Sequence, residues 1–206
     1  MITKLRYIIV ISLLTFCSAE ALQGQAVGVH SISLWWGASV PMGDGSFLNK
    51  TTVVTPSLEW DYRFNPHFSL GVSGGYLRGH EEGQTHDNYD GGLVDGLTER
   101  TFSSISGLVH VRYYPLGDSS PWQPYVILGG GVSYGQFDIT GDVINITQRK
   151  STSLALKPGL GLRLATNNKL FFNVDCSWMY RGNDLPILTS TSQQSIEIRI
   201  GAGITF

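Results

Sequence analysis

The stretch Gln193–Phe206, with the sequence QQSIEIRIGAGITF, decides the fold of this chain. Its residues alternate with the two-residue period of a β-strand, in which successive side chains point to opposite faces. The apolar face carries Ile196, Ile198, Ile200, Ala202, Ile204 and Phe206, and the other face carries Ser195, Glu197, Arg199, Gly201, Gly203 and Thr205. The stretch therefore predicts a strand that lies between an apolar medium and a polar one and ends on an aromatic residue.

The same alternation recurs upstream in seven further candidate strands. They lie near residues 30–40, 57–64, 68–77, 102–114, 125–139, 154–165 and 170–181. The second of them is the clearest, because Glu59, Asp61 and Arg63 alternate with aromatic and aliphatic residues. Charged side chains are costly to bury without partners, so this face must line a polar interior. Together the strands predict an all-β, eight-stranded antiparallel up-and-down transmembrane β-barrel.

The connections between these strands predict the topology. Short turns alternate with longer aperiodic segments, of which 78–100 and 140–150 read as exposed loops. We expect the turns to be periplasmic and the loops to be outside the cell. An aromatic girdle is predicted beside the turns, formed by Tyr62, Phe64, Phe68, Tyr113, Tyr114 and Tyr125. The glycines 129–131 suggest a bulge or a close approach of backbones, and Pro158 requires a bulge or a local gap.

The first residues predict a cleavable signal peptide. Lys4 and Arg6 precede a short apolar run, and Ala19 and Ala21 form an A-x-A cleavage site. The predicted domains are therefore a signal peptide at 1–21 and an outer-membrane β-barrel domain at 22–206. Cys17 would leave with the signal, which excludes an intramolecular disulfide. It could instead be a lipidation cysteine, although the bulky Phe16 disfavours this.

The charge of the chain excludes one class of partner. With 14 basic and 16 acidic residues the net charge is -2. Removal of Lys4, Arg6 and Glu20 leaves 12 basic and 15 acidic residues, a net charge of -3. Nucleic acid is therefore not an expected partner.

From Ala26 onward the chain resembles the small outer-membrane β-barrel family that includes the OmpA-like transmembrane domain. The resemblance rests on Tyr113-Tyr114-Pro115, on Pro124-Tyr125 with the glycines 129–131, and on the terminal Ile204-Thr205-Phe206. It implies the cell outer membrane of a Gram-negative bacterium, with membrane lipid, lipopolysaccharide and the barrel-assembly machinery as partners. It also implies an assembly signal at Ile200, Ala202, Ile204 and Phe206. We expect no peptidoglycan-binding domain after the barrel, so the resemblance does not imply a tethering role.

The inward-facing positions contain a set of charges of both signs. Its members are Glu59, Asp61, Arg63, Arg112, Lys157, Arg163, Asp175, Glu197 and Arg199. An eight-stranded barrel has an interior just wide enough to be filled by side chains. We expect these charges to pair as a lumen charge network and to plug the lumen. The alternative is a narrow small-solute or ion pore.

Two other patterns bear on catalysis and metal binding. His67 and Ser69, with Glu81 downstream, resemble part of the triad of lipid A deacylase barrels, but Leu70 replaces the usual Asn. The expected positions of the three residues lie a membrane thickness apart. A second group, rich in acids and histidines, matches no defined ligand motif and reads as a solvated loop. Its members are His80, Glu81, Glu82, His86, Asp87, Asp90 and Asp95.

The sequence therefore predicts a non-enzymatic outer-membrane barrel without catalytic, cofactor or metal residues. Its role would be structural, or would consist of contacts between its extracellular loops and an unknown surface or ligand. A lipid-modifying barrel enzyme and a pore remain as alternatives.

Overall fold

The structure is a computed structural model that describes residues 28–42, 52–89, 92–141, 145–166, 169–182 and 192–206. The predicted signal peptide, the Asn167-Asn168 turn and the segments 43–51 and 183–191 lie outside the described residues. The strands are β1 (Val29–Met42), β2 (Thr52–Asn65), β3 (Phe68–Tyr89), β4 (Gly92–Tyr113), β5 (Trp122–Gly141), β6 (Asn145–Ala165), β7 (Leu170–Gly182) and β8 (Ser192–Thr205). Each strand pairs antiparallel with its neighbours in sequence, and the predicted fold class is confirmed.

The barrel closes where β1 meets β8. The ladder between them runs from Ser31 opposite Thr205 to Met42 opposite Gln194. This closure satisfies the backbone groups that an open sheet would leave unpaired at its edges. Among the described residues, no helix is long and apolar enough to cross a membrane.

The two faces of the sheet differ as the alternation predicts. Large apolar side chains are exposed on the exterior, with Leu154 at 73%. Their inward neighbours are buried, and many of them are polar or charged. The facing of β5, where glycines blur the pattern, is also clear, because Val126 and Leu128 point out while Tyr125 and Ile127 point in.

Two members of the predicted aromatic girdle are placed wrongly by the sequence analysis. Tyr114 and Tyr125 are buried inside the barrel, with ring centroids 5.5 Å apart. Adjacent residues of an extended strand face opposite sides, so Tyr114 cannot share the lipid face with Tyr113. Tyr113 and Phe68 do lie on the exterior beside the turns, with ring centroids 5.0 Å apart.

The prediction of two long loops, at 78–100 and 140–150, is also wrong. β3 and β4 pair as far as Tyr89 opposite Gly92, and β5 and β6 pair as far as Thr140 opposite Asn145. A hairpin that extends beyond the membrane has water on both faces, so its strands need no apolar alternation. Periodicity alone therefore could not detect them.

The glycine run in β5 contains a close backbone approach without a bulge. The pairing of β5 with β4 and with β6 continues in register through Gly129, Gly130 and Gly131. A Cβ atom at Gly131 would lie 2.1 Å from the carbonyl oxygen of Gly107. Only a residue without a side chain fits at this position.

We predict that Gly131→Ala destabilises the barrel by about 1–3 kcal/mol, the usual cost of overpacking. The matched control is Gly74→Ala, because a Cβ atom at Gly74 meets nothing within 4 Å. Urea unfolding in lipid vesicles compares the two variants. Equal midpoints for both would show that the sheet adapts to the added methyl group.

Pro158 produces the predicted local gap. The ladder between β6 and β7 pairs Leu156 with Tyr180 and next pairs Gly159 with Ser177, so two positions of β6 are skipped without a change of register. The pairing with β5 continues, with Pro158 opposite Leu128. On the neighbouring strand, Cys176 is a free, exposed cysteine.

Candidate functional site

The centre of the lumen holds a group of charged side chains that begins at Arg112. Its guanidinium donates hydrogen bonds to the carboxylates of both Glu59 and Asp61. The Nε2 atom of His110 lies 2.9 Å from Asp61 Oδ1. These side chains come from β2 and β4, the two neighbours of β3, so the contacts pass over the inner face of β3 at Gly71. All four residues are at most 2% exposed.

Arg199 joins a second strand pair to this group. Its Nε and Nη2 donate to the two carboxylate oxygens of Asp175 at 3.0 and 2.5 Å. The same Nη2 lies 3.0 Å from Glu59 Oε1, and Nη1 donates to Ser57 Oγ at 3.2 Å. Arg199 therefore links β8 and β7 to β2 over the inner face of β1.

Glu197 is shared by two cations on the side of the long hairpins. Arg181 Nη2 donates to Glu197 Oε1 at 2.8 Å, and Lys157 Nζ lies 3.8 Å from Oε2. Arg181 and His110 belong to this group, although the predicted network omitted them. Both residues lie on the predicted inward faces of their strands. Their positions in the alternation were therefore the signal that could have added them to the predicted network.

Arg63 and Arg163 lie apart from the central group, at the end with the short turns. Arg63 contacts Asp118 Oδ1 at 3.0 Å and lies 4.1 Å over the ring of Tyr114. Arg163 donates to Asn173 Oδ1 at 3.3 Å and lies 4.0 Å over the ring of Phe171. Guanidinium groups stack well on aromatic faces, so these contacts hold both arginines against the rings that line the lumen at this end.

One subset of the central group has the donor types of a metal site. Oxygen atoms of Glu59 and Asp61 and a ring nitrogen of His110 lie within 4.8 Å of one another. Arg112 already donates to both carboxylates, so a cation there would have to displace a buried guanidinium. The arrangement is that of an ion-pair cluster.

The structure does not bring together the three residues of the deacylase-like pattern. The ring of His67 lies at a turn, with Nδ1 2.9 Å from the carbonyl oxygen of Tyr114. Ser69 is buried in the lumen opposite Arg112. Glu81 lies further along β3, about 40 Å from Ser69 at the usual rise of a strand. These described residues form no nucleophilic triad.

The acidic and histidine-rich segment is described only in part. His80 contacts Glu82 at 3.3 Å and Glu99 at 3.6 Å, and all three side chains are exposed. The side chains of His86, Asp87, Asp90 and Asp95 lie outside the described residues. The structure therefore shows the predicted exposure to solvent only for the part of the segment near His80.

The predicted assembly residues share the exterior face of β8. Ile200, Ile204 and Phe206 are at least half exposed. The backbone of Phe206 exchanges hydrogen bonds with that of His30, at 2.9 and 3.2 Å. The two ring centroids are 5.9 Å apart.

An apolar exterior, a closed ladder of eight strands and a buried, charged interior define a transmembrane β-barrel of the outer-membrane class. The sequence profile of the outer membrane protein beta-barrel domain matches residues 9–206. The chain belongs to this family and resides in the outer membrane. Among curated protein sequences, none is significantly similar to it.

Solved structures support the same fold. Ail, the attachment invasion locus protein of Yersinia pestis, has a TM-score of 0.60 at 20% identity, covering 88% of this chain and 100% of Ail. A second Ail structure, in complex with the heparin analogue sucrose octasulfate, has a TM-score of 0.54 at 22% identity with the same coverage. OprG from Pseudomonas aeruginosa has a TM-score of 0.54 at 18% identity, covering 90% of this chain and 99% of OprG. At these identities the likeness concerns the fold alone.

Proposed function

We propose that this protein is a non-enzymatic surface-interaction protein, in which a plugged barrel holds a β-sheet that binds partners outside the cell. The observation that carries the proposal is the unequal length of the strands. Within the described residues, the β2–β3 ladder ends at Leu77 and the β6–β7 ladder begins at Ala155. The four strands β3 to β6 continue beyond these points, and we call this part the projecting sheet.

The projecting sheet is a continuous structure. β3 and β4 pair up to Tyr89 opposite Gly92, β4 and β5 pair from Thr98 opposite Gly141, and β5 and β6 pair from Thr140 opposite Asn145. The extension of β3 alone amounts to about 40 Å of strand. A paired sheet of this length presents an extended surface.

The chemistry of the projecting sheet favours an extended peptide as its partner. The outer strands of a sheet offer backbone N–H and C=O groups, to which another chain can add a strand. The described side chains near its base are mixed in sign, with Arg78 and Lys150 against Glu82 and Glu99. This mixture gives a polyanion little advantage. The heparin analogue bound by Ail nevertheless makes a sulfated polysaccharide the second candidate.

Two features support a scaffold over the alternatives. The buried interior charges form ion pairs with one another, which disfavours a pore. The separation of His67, Ser69 and Glu81 disfavours a lipid-modifying enzyme of the deacylase kind.

The test is a selection of displayed random peptides on the barrel in lipid nanodiscs, with heparin as a separate probe. A variant in which 80–101 and 137–150 are each replaced by a short turn should remain folded but lose the selected peptides. The matched control replaces 183–191 by a Gly-Ser linker and should keep them. Methylation of alternate backbone amides in a selected peptide should abolish binding, because strand addition depends on main-chain hydrogen bonds. Peptide binding by the truncated variant, or heparin binding alone, would contradict the proposed mode.

The proposal also requires that the projecting sheet face outward. We predict that an epitope tag inserted between residues 90 and 91 is stained by antibody on intact cells. A tag between Asn65 and Pro66, in a short turn, should be stained only after the outer membrane is permeabilised. The opposite pattern would reverse the topology and exclude binding partners outside the cell.

A further inference from the structure

We infer that the barrel consists of two halves that can separate from each other at the end with the long hairpins. Strands β3 to β6 form the long-strand half, and strands β7, β8, β1 and β2 form the short-strand half. The halves meet at two seams, which are the β2–β3 ladder and the β6–β7 ladder. Each seam is interrupted beside a proline.

The β2–β3 seam is interrupted at Pro56. Its ladder pairs Ser57 with Gly75 and next pairs Val54 with Leu77, so β2 has one residue more than β3 here. This extra residue is a β-bulge, which leaves backbone groups outside the ladder. Proline also has no N–H group to donate. Beyond the bulge, Val54 opposite Leu77 is the last described pair of this seam.

The β6–β7 seam is interrupted at Pro158. Beyond the gap described above, the ladder has two described pairs, Leu156 with Tyr180 and Ala155 with Arg181. Few backbone hydrogen bonds therefore join the two halves at the long-hairpin end of either seam. Strand separation there breaks fewer hydrogen bonds than it would elsewhere in the wall.

The two interruptions lie at the same depth on opposite sides of the barrel. Followed from Ser57 through β3, β4 and β5, the ladders lead to Ser153 of β6. Followed the other way through β1, β8 and β7, they lead to Arg163 of β6. Because the strands of a barrel are staggered, the residue of β6 at the depth of Ser57 lies midway between these two. That residue is Pro158.

The wall has little support from inside at this depth. A cavity of about 40 Å³ lies there, lined by Ser57 and Leu77 of one seam and by Lys157 and Met179 of the other. Side chains that line a void lose packing contacts on that side. Lys157 Nζ lies 3.8 Å from Glu197 Oε2, so this contact between β6 and β8 is longer than a hydrogen bond.

Within each half the ladders are more continuous. The β3–β4 and β4–β5 ladders run without a register shift, and so do the β7–β8 and β8–β1 ladders. The bulge at Pro56 also shifts the β1–β2 ladder, but this ladder resumes as far as Ser39 opposite Thr52. The seams are therefore the places where the wall can open.

Buried ion pairs limit how far the halves can separate. Arg112 of β4 donates to Glu59 and Asp61 of β2 and so joins the two halves across the β2–β3 seam. Both carboxylates lie on the short-turn side of Pro56. An opening that stops there leaves the central charges paired and the lumen plugged.

The first test measures distances between spin labels by double electron–electron resonance, in lipid nanodiscs and in a Cys176→Ser background. Labels at Ser103 of β4 and Gln194 of β8 report on the long-hairpin end. The control labels, at Val111 and Ala202 of the same strands, lie on the short-turn side of the interruptions. We expect the first distance distribution to be at least about twice as wide as the second. Equal widths would overturn the inference.

The second test is hydrogen exchange of backbone amides in the unlabelled wild type. Residues 179–181 of β7, at the seam, should exchange at least about tenfold faster than residues 132–134 of β5, which lie at a similar depth within a continuous ladder. Exchange that is equally slow at both places would contradict a weak seam. This comparison uses only the wild type, so it does not depend on the folding of any variant.

A proline substitution connects both measurements to the interruption. Pro158→Val supplies the missing N–H group and should slow exchange at 179–181 by about fivefold or more, while narrowing the distribution between Ser103 and Gln194. The matched control is Pro124→Val, because Pro124 lies opposite Leu162 in a continuous part of the β5–β6 ladder. It should change neither measurement. A folded Pro158→Val variant that behaves like the wild type in both would show that Pro158 does not weaken the seam.

Discussion

Replacing Arg112 by alanine is expected to destabilise the barrel by about 3–5 kcal/mol, the typical cost of removing one partner of a buried ion pair. Arg112 is 1% exposed and donates to the carboxylates of Glu59 and Asp61. Without it, His110 and Arg199 remain as their neighbours, but one negative charge loses its main partner. The measurement is urea unfolding of the refolded barrel in lipid vesicles.

Two further variants separate the lost charge from the lost packing. Arg112→Met combined with Glu59→Gln and Asp61→Asn removes the charges together and should recover part of the stability. Arg78→Ala, at an exposed position of β3, should stay within about 0.5 kcal/mol of the wild type. If Arg112→Ala behaved like Arg78→Ala, the central charges would be solvated and the lumen would be wetter than its contacts indicate.

Deletion of Phe206 is expected to remove most of the protein from the outer membrane of cells. The resemblance to small outer-membrane barrels implies that the terminal aromatic is read by the assembly machinery. Phe206 also exchanges two backbone hydrogen bonds with His30, so its loss could act through the fold itself. Both explanations predict less protein in cells.

Refolding without the machinery separates them. If Phe206 is a recognition signal, the deleted chain should fold into detergent or lipid almost as well as the wild type, while failing to insert in cells. Phe206→Tyr should insert normally. If the deleted chain fails equally in refolding and in cells, Phe206 contributes to the stability of the barrel and is not a recognition signal. If the deleted chain inserts normally in cells, the end of β8 is not the assembly signal.

The sequence predicts the barrel well because the lipid and the lumen impose opposite demands on successive residues. The parity of Glu59, Asp61 and Arg63 places all three inside, and the same parity would have included Arg181. The errors arise where that contrast is missing or was overlooked. Tyr114 lies beside Tyr113 in the sequence, but its parity places it inside the barrel. The sequences of β3 to β6 beyond Leu77 and before Ala155 do not alternate regularly between apolar and polar residues, so hydrophobic periodicity carries no signal there.

Which charges pair could not be read from the strands alone. Arg112 and Asp61 lie on β4 and β2, which do not pair with each other, so their contact depends on the width of the barrel and on the stagger of its strands. The same holds for Arg199 and Glu59. Such distances are determined only when the barrel closes.

The central claim is that this barrel is a plugged scaffold for the projecting sheet, and planar-bilayer conductance tests it most directly. Wild-type protein should show no steady current, because paired side chains fill the lumen. Arg112→Ala or Arg199→Ala should admit water beside the orphaned carboxylates and raise the frequency of brief openings. A wild-type protein that already conducts steadily, at a level that neither substitution changes, would show that the lumen is open and that the protein is a pore.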